Sequence, residues 1–505
     1  MKIVSSDAMT RIDRRAQAEF AVPSTILMED AGVKGWAAAR LAAWDGHAPR
    51  GRVVFLAGRG NNGGDAFVMA RQAAVENARP LTIVLAAGRP GRGTDPHTML
   101  AMCESLGIEC LSWPVEEADV RRRCAEAAWF FDGIAGTGIT GALRHPVSDL
   151  VELVNACPGR KIAIDVPSGV GDSFRPDHPA VRADLTLTMG LPKLCLYLPH
   201  ARGLCGRIVV VPVGFPPALV EDAAIPGALL ARGAWRKLAP PIPADTYKNR
   251  RGHLAVFAGA RGTTGAAWLC ASAAARSRVG LVTLFVDADV YPVLAPKLTS
   301  VMCRPWQAPA RHAPTEWDAS PYSAALVGPG WGLAEEREDW LERLTASDLG
   351  GVIDADGISL LGRIVARGAV DLGGRWVLTP HPGEFSRLAG VKREDVLDDP
   401  VARVLEASAR LNAVIALKGS CTIVAVPQGK YWILDGQIPA LATGGSGDVL
   451  AGIVAAGIAG GMGPLDAALF GVSLHASVGR LAARRIGWFL AEDLVPLLSR
   501  VLSRS

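Results

Sequence analysis

Short, uninterrupted apolar runs, most of them closed by a glycine or an aspartate, recur along this chain. The first is Arg52-Val53-Val54-Phe55-Leu56-Ala57-Gly58, and others follow at 81–86, 129–131, 161–166 and 208–213. Runs this short, without polar alternation, predict strands buried on both faces. Ala/Leu/Arg segments with helical spacing separate most of them, at 66–77 and 147–156 for instance. Strand and helix in alternation predict a parallel sheet with right-handed crossovers. The pattern breaks after residue 212, where prolines at 212, 216, 217, 226, 240, 241 and 243 stop helices and ladders alike. It resumes at His253-Leu254-Ala255-Val256-Phe257-Ala258-Gly259 and continues through 281–286, 324–327, 351–354, 375–378, 414–417 and 422–426. The expected fold class is therefore α/β, as two α/β/α domains with mainly parallel sheets. We expect them at residues 1–224 and 241–505, with a proline-rich linker at 225–240.

Composition narrows the function. The chain has 505 residues, of which 50% are hydrophobic and 20% charged, and this excludes a disordered or low-complexity protein. A net charge of +4 is too mild to call for nucleic acid or an anionic membrane. The nine cysteines are scattered, without zinc-ribbon spacing, which fits inert thiols in a reducing compartment. The first residues lack the apolar segment of a signal peptide. The longest uncharged apolar run, 449–463, is shorter than a membrane span and rich in glycine. A buried core helix, a cytoplasmic location and a partner list without nucleic acid or membrane are the expectations. Gly/Ala helices also suggest a homo-oligomer.

Three turns in the first half carry candidate chemistry. Gly58-Arg59-Gly60-Asn61-Asn62-Gly63-Gly64-Asp65 lies where a strand feeds a helix, so its glycines allow close ligand approach and the helix start offers unpaired N–H groups. The plain alternative is an Asn/Gly turn with an aspartate cap. Asp132-Gly133-Ile134-Ala135-Gly136-Thr137-Gly138 and Asp165-Val166-Pro167-Ser168-Gly169 repeat the arrangement. In a parallel sheet such turns gather at the carboxyl edge, where ligands bind. Asn62, Asp132 and Ser168 supply hard oxygens for a cation, and Asp165 is the candidate for proton transfer.

These motifs, with Leu27-Met28-Glu29-Asp30-Ala31-Gly32 before them, resemble the epimerase half of the NAD(P)H-hydrate repair enzymes. The resemblance covers about residues 1–220 and implies a Rossmann-like domain that epimerises hydrated NADH or NADPH (NADHX, NADPHX) at C6, with a bound potassium ion. It implies that Asn61, Asn62, Gly63, Gly64 and Asp65, with Gly136, Thr137, Gly138, Ile139, Thr140, Gly141 and Ala142, hold the hydrate. Asn62, Asp132 and Ser168 would hold potassium, Asp165 would be the acid/base residue, and Lys193 would assist it.

In the second half, Thr443-Gly444-Gly445-Ser446-Gly447-Asp448 opens a long Ala/Gly helix. N–H groups at such a start neutralise a transferring phosphoryl group, and the aspartate can take a proton from the attacking hydroxyl. Asp448 as a simple N-cap is the alternative. Lys418-Gly419-Ser420-Cys421-Thr422 offers a lysine and backbone groups to a nucleotide. In Thr379-Pro380-His381-Pro382-Gly383-Glu384 the prolines stiffen a turn that can present His381 and Glu384 to one cleft. Gly328-Pro329-Gly330-Trp331-Gly332 and Asp354-Ala355-Asp356-Gly357 also end strands; Asp354 and Asp356 are equally read as caps.

Together these motifs resemble the ADP/ATP-dependent NAD(P)H-hydrate dehydratases of the ribokinase-like superfamily, over about residues 235–500. The resemblance implies phosphorylation of the hydrate at C6 followed by loss of phosphate, with ADP favoured as donor and magnesium alongside. Asp448 would be the base and a hydrate contact; Ala266, Gly330 and His381 would line the hydrate pocket. Lys418, Gly419, Ser420, Cys421, Thr422, Gly444, Gly445, Ser446 and Gly447 would bind the nucleotide, and Glu384 would place magnesium. A vitamin or sugar kinase of the same superfamily is the alternative enzyme, and a non-catalytic first domain the alternative without epimerisation.

Overall fold

Strands buried on both faces need helices on each side, and the computed structural model provides them twice. It describes residues 1–503 apart from 48, 79, 223 and 307–317, and divides into two units, Met1–Gly227 and Ala228–Ser505. The first is built on β1 (Arg52–Ala57), β2 (Leu81–Leu85), β3 (Glu109–Ser112), β4 (Ala127–Gly133), β5 (Arg160–Ile164), β6 (Leu185–Met189) and β7 (Arg207–Val211). Their order is β3-β2-β1-β4-β5-β6-β7, with every neighbouring pair parallel. The order reverses between β1 and β4, and such a switch point opens a crevice at the carboxyl edge of the sheet. Helices α1 (Ser6–Phe20), α2 (Ser24–Trp44) and α3 (Asn61–Val75) each place residues along that crevice. Trp36 of α2 is buried against Phe55 and Phe131, whose rings stack 4.7 Å apart.

α3 starts earlier than the sequence suggests, because the pattern predicts its body only from residue 66. Its first turn is Asn61-Asn62-Gly63-Gly64 itself. A Cβ on Gly63 would lie 2.0 Å from the Gly58 carbonyl oxygen, so glycine lets the helix start against the strand end. Gly63→Ala is expected to destabilise the protein by about 1–3 kcal/mol through this overpacking, read as a lower urea midpoint. An unchanged midpoint would mean that the turn yields freely.

In the second unit, β8 (His253–Phe257), β9 (Leu281–Asp287), β10 (Met302–Trp306), β11 (Ala324–Val327), β12 (Gly351–Ile353), β13 (Trp376–Leu378), β14 (Val414–Leu417), β15 (Cys421–Ala425) and β16 (Tyr431–Asp435) run in the order β16-β15-β14-β13-β12-β11-β8-β9-β10. Pairing is parallel except at β14/β15 and β15/β16. The helices that matter here are α4 (Thr264–Ala275), α5 (Asp356–Arg367), α6 (Pro382–Ala389), α7 (Ser446–Ala459) and α8 (Pro464–Arg485). The apolar run near 449–463 is indeed a buried helix, α7: a Cβ on its Gly452 would meet the Cys270 carbonyl oxygen at 2.2 Å, so α4 and α7 pack backbone to backbone. Within 225–240, Trp235 is fully buried in this unit's core and its main-chain N–H donates to Ser473 Oγ at 3.1 Å. None of the nine cysteines, all of them among the described residues, is bridged in a disulfide, and burial pushes the Cys103 thiol up to about 12. Among the described residues no helix is long and apolar enough to cross a membrane.

Two candidate active sites

At the switch point of the first unit lies a cavity of about 410 Å³. Its wall includes Asn61, Asn62 and Asp65 from α3, Gly136, Thr137 and Gly138 after β4, Asp165 after β5, and Lys193. Asp165 has φ +68°, a left-handed conformation that turns the chain sharply at the strand end. Its Oδ1 accepts from the Met189 N–H at 3.0 Å and from the Lys193 ammonium. Lys193 is only 1% exposed, so this is a buried ion pair, and its ammonium also reaches the Met189 carbonyl oxygen. Asp65 shares the wall with them. Burial first, and the Asp165 carboxylate second, push Asp65 well above the usual carboxylate range, with Lys193 opposing. The cavity thus sets a carboxyl group pushed upward by burial beside a carboxylate matched to an ammonium.

Not every residue expected here touches the cavity. Gly63 and Gly64 serve packing, the latter under the Met28 sulfur. The cavity wall ends at Gly138, and Ile139, Thr140, Gly141 and Ala142 continue as a loop outside it. The aspartate-cap alternative fails for Asp65, since α3 is capped at Gly60 without a side-chain bond. Asp13 of α1 also faces the cavity, a position that the amphipathic pattern of its helix gave no reason to select.

Asp132 and Ser168 lie beneath the wall. The Asp132 carboxylate is fully buried and accepts from the Ser168 N–H at 2.8 Å, the Ser168 hydroxyl at 2.5 Å and the Ile134 N–H at 3.3 Å. Burial outweighs these bonds and pushes Asp132 up to about 6. Next to the same turn, a Cβ on Gly136 would sit 3.3 Å from Asn62 Cβ. Both polar atoms of the Asn62 side chain are buried with no hydrogen-bond partner. An orphaned amide oxygen near the turn of a buried carboxylate fits an oxygen-coordinated monovalent cation, which would take the Asn62 Oδ1 lone pair and leave the amide N–H groups for the ligand.

The second unit gathers its groups around the start of α7. Gly445 caps the helix at φ +87°, leaving Asp448 in the first turn without a capping role. A Cβ on Gly445 would lie 2.5 Å from Leu269 and one on Gly330 3.0 Å from Ala266 Cβ, so α4 touches both glycine turns. Lys418, at the end of β14, pairs with the buried Asp354 at 2.8 Å. A Cβ on Gly447 would lie 3.1 Å from its Nζ. Asp356 accepts the Gly332 N–H at 2.7 Å and does not cap α5, whose cap position is Ala355. Burial, then Asp354, Glu384 and Asp356 against the pull of Lys418, push Asp448 up to about 7. Trp331 sits in the core against Phe257 and Trp306, so it shapes the glycine turn from below.

His381 and Glu384 hold each other. The His381 Nδ1 accepts from the Gly383 and Glu384 N–H groups, and Glu384 Oε2 accepts the His381 N–H at 2.8 Å. Glu384 is therefore committed to capping α6 through one oxygen, with the other 3.3 Å from His381 Nε2. Beside α7 opens a cavity of about 660 Å³ lined by His381, Lys418, Gly419, Ser420, Thr422, Ser446 and Gly447 together with apolar side chains from β16 to α8. Cys421, Gly444, Gly445, Glu384 and Asp448 are not part of its wall, and neither are Ala266 and Gly330. Cys421 points instead to Asp435. His475 of α8, absent from the sequence reading, is part of the wall.

Two family profiles divide the chain: one described as YjeF-related protein N-terminus matches residues 24–195, and one described as NAD(P)H-hydrate dehydratase matches residues 254–500. The chain is 33% identical to a bifunctional NAD(P)H-hydrate repair enzyme of Moorella thermoacetica, over 99% of this chain and 97% of that one. It is 35% identical to one of Salinibacter ruber, over 99% and 96%. A solved structure of the ADP/ATP-dependent NAD(P)H-hydrate dehydratase from Bacillus subtilis, co-crystallised with ATP and Mg2+, is 28% identical, covers 55% of this chain and 98% of its own, and superposes with a TM-score of 0.48. Since identity at this level runs through both units, the chain belongs to the family of bifunctional NAD(P)H-hydrate repair enzymes.

Proposed function

We propose that the first unit interconverts the R and S forms of NADHX and NADPHX, and that the second converts the S form to NAD(P)H at the expense of ADP, releasing AMP and phosphate. The observation that carries this reading is the pair of distinct cavities, each beside an aspartate placed for proton transfer: Asp165 held by Lys193 in one, and Asp448 at the mouth of α7 in the other. The cytoplasm, where these cofactors are damaged and thiols stay reduced, is the proposed location.

In the epimerase cavity, the Asp165 carboxylate accepts a proton from the substrate while its bonds to Met189 and Lys193 keep it aimed. Asp65, whose carboxyl is pushed upward by burial and by the Asp165 carboxylate, faces the same ligand from the cavity wall. Potassium, held by Asn62, Asp132 and Ser168, would supply positive charge beneath the hydrate. Exchanging potassium for tetramethylammonium is expected to slow epimerisation about tenfold or more, the cost of leaving buried polar atoms unpaired. In Asn62→Ala that dependence should vanish; a variant still responding to potassium would move the ion elsewhere.

In the dehydratase site, Asp448 takes the proton of the C6 hydroxyl as it attacks the terminal phosphorus of ADP, and AMP leaves. N–H groups of the first turn of α7 and the Lys418 ammonium meet the charge on the transferring group. Loss of the C5 proton with phosphate then restores the C5=C6 bond. The donor set suits magnesium carried by the nucleotide's own phosphates, since one or two carboxylates are enough for that mode; Glu384 Oε1, now 3.3 Å from His381 Nε2, would have to turn from the histidine to serve it. Magnesium would neutralise phosphate charge there. The assay is recovery of nicotinamide absorbance from mixed R and S NADHX with ADP, ATP or no nucleotide. Recovery of both epimers with ADP is expected. Recovery of the S form alone would reduce the first unit to a binding module, and a stable phosphorylated product would indicate a kinase.

A further inference from the structure

The wall of the 660 Å³ cavity combines two surfaces. Lys418, Ser446 and Gly447 suit phosphate, while Leu434, Ile438, Leu450 and Val472 suit a flat apolar base. His475 stands where they meet. It lies one turn along α8 from Val472, the main chain of Ser446 hydrogen-bonds its ring, and the Lys418 charge acts on it. The side chain is 9% exposed, and burial lowers its pKa to about 4, so the ring is neutral. The Ser446 bond favours the protonated ring, the mark of a carbonyl acceptor facing a ring N–H. Nε2 is buried without any hydrogen-bond partner. The Ser446 carbonyl therefore faces Nδ1–H, and Nε2 presents an unused lone pair.

A buried lone pair left unpaired is destabilising, and a leucine at this place would avoid that cost. The partner cannot be phosphate, because a neutral acceptor and an anionic oxygen repel each other. In a nucleotide the group between phosphate and base is the sugar, and it carries hydroxyl donors. We propose that His475 reads the ribose: its Nε2 accepts a hydrogen bond from a ribose hydroxyl of the bound nucleoside diphosphate. This rests on assigning the cavity to the nucleotide.

The test compares ADP, 2′-deoxy-ADP and 3′-deoxy-ADP as donors for dehydration of S-NADHX by the full-length enzyme, its His475→Leu and His475→Gln variants, and Lys418→Ala. The wild type should prefer ADP over one deoxy analogue by about tenfold in kcat/KM, the worth of one buried hydrogen bond. His475→Leu should bring ADP down to the level of that analogue, mainly through KM. His475→Gln, whose carboxamide oxygen is again an acceptor, should restore part of the preference. Equal use of all three nucleotides by the wild type overturns the proposal, and so does a preference that survives in His475→Leu. Lys418→Ala separates the two levels of inference. If it leaves the KM for ADP unchanged, the cavity is not the nucleotide site; if it raises that KM while the histidine variants keep the wild-type preference, only the role of His475 falls.

Discussion

Asp448→Asn is expected to lower nucleotide-dependent dehydration of S-NADHX by about a thousandfold, the usual worth of a positioned general base. Asparagine keeps the shape and one acceptor oxygen but cannot hold a proton taken from the hydroxyl. The wild-type pH profile gives an independent reading. The carboxyl is pushed up to about 7, by burial and by Asp354, Glu384 and Asp356, with Lys418 pulling the other way. A base works when ionised, so kcat/KM for the hydrate should fall about tenfold per pH unit below pH 7 and level off above it. The residual activity of Asp448→Asn should lack that acid limb. Epimerisation, which uses the other unit's groups, should continue in the variant and serves as the control for a folded chain. Dehydration within a factor of a few of wild type would remove Asp448 from the chemistry.

The sequence carries much of this architecture because buried parallel strands are written as solid apolar blocks. β1, β4 and β8 read directly from Val53–Ala57-type runs that are buried on both faces. Three of the strands that escape notice differ from that form, whereas β16, Tyr-Trp-Ile-Leu-Asp, has it and escapes all the same. β3 is a four-residue strand, Glu-Cys-Leu-Ser, with only Leu111 fully buried, and β10 contains an arginine and a proline on the sheet edge. β6 alternates leucine and threonine as a surface strand would, yet Thr186 and Thr188 are both buried. Glycine-and-aspartate turns mark the sites for the same physical reason that they form them: a chain leaving a parallel strand must bend sharply, and ligands bind where it bends. The turns do not reveal which of their residues face the ligand. Gly63 and Gly64 belong to packing, and Glu384 to a helix cap. Asp13 and His475 come from helices whose patterns describe only burial, so their place in a cavity wall depends on tertiary contacts.

Asp165→Asn is the matching experiment for the first unit, with an expected loss of about 10²- to 10⁴-fold in interconversion of R- and S-NADHX. The position narrows the choice of replacement. At φ +68° most side chains are strained, and asparagine is among the few that accept this conformation. Its amide oxygen can keep the 3.0 Å bond from the Met189 N–H, so the turn after β5 should persist. The variant does remove the counter-charge of Lys193, which is 1% exposed. Breaking a buried ion pair from one side costs about 3–5 kcal/mol, and stability alone could then mimic a catalytic defect. The double variant Asp165→Asn, Lys193→Met removes both charges and should recover most of the lost stability in urea unfolding without recovering epimerisation. Dehydration of S-NADHX supplies the internal standard in every variant. If the double variant regains epimerase turnover along with stability, Asp165 is a structural partner of Lys193 and the proton passes through another group, with Asp65 and Asp13 the other carboxyls on the same cavity wall.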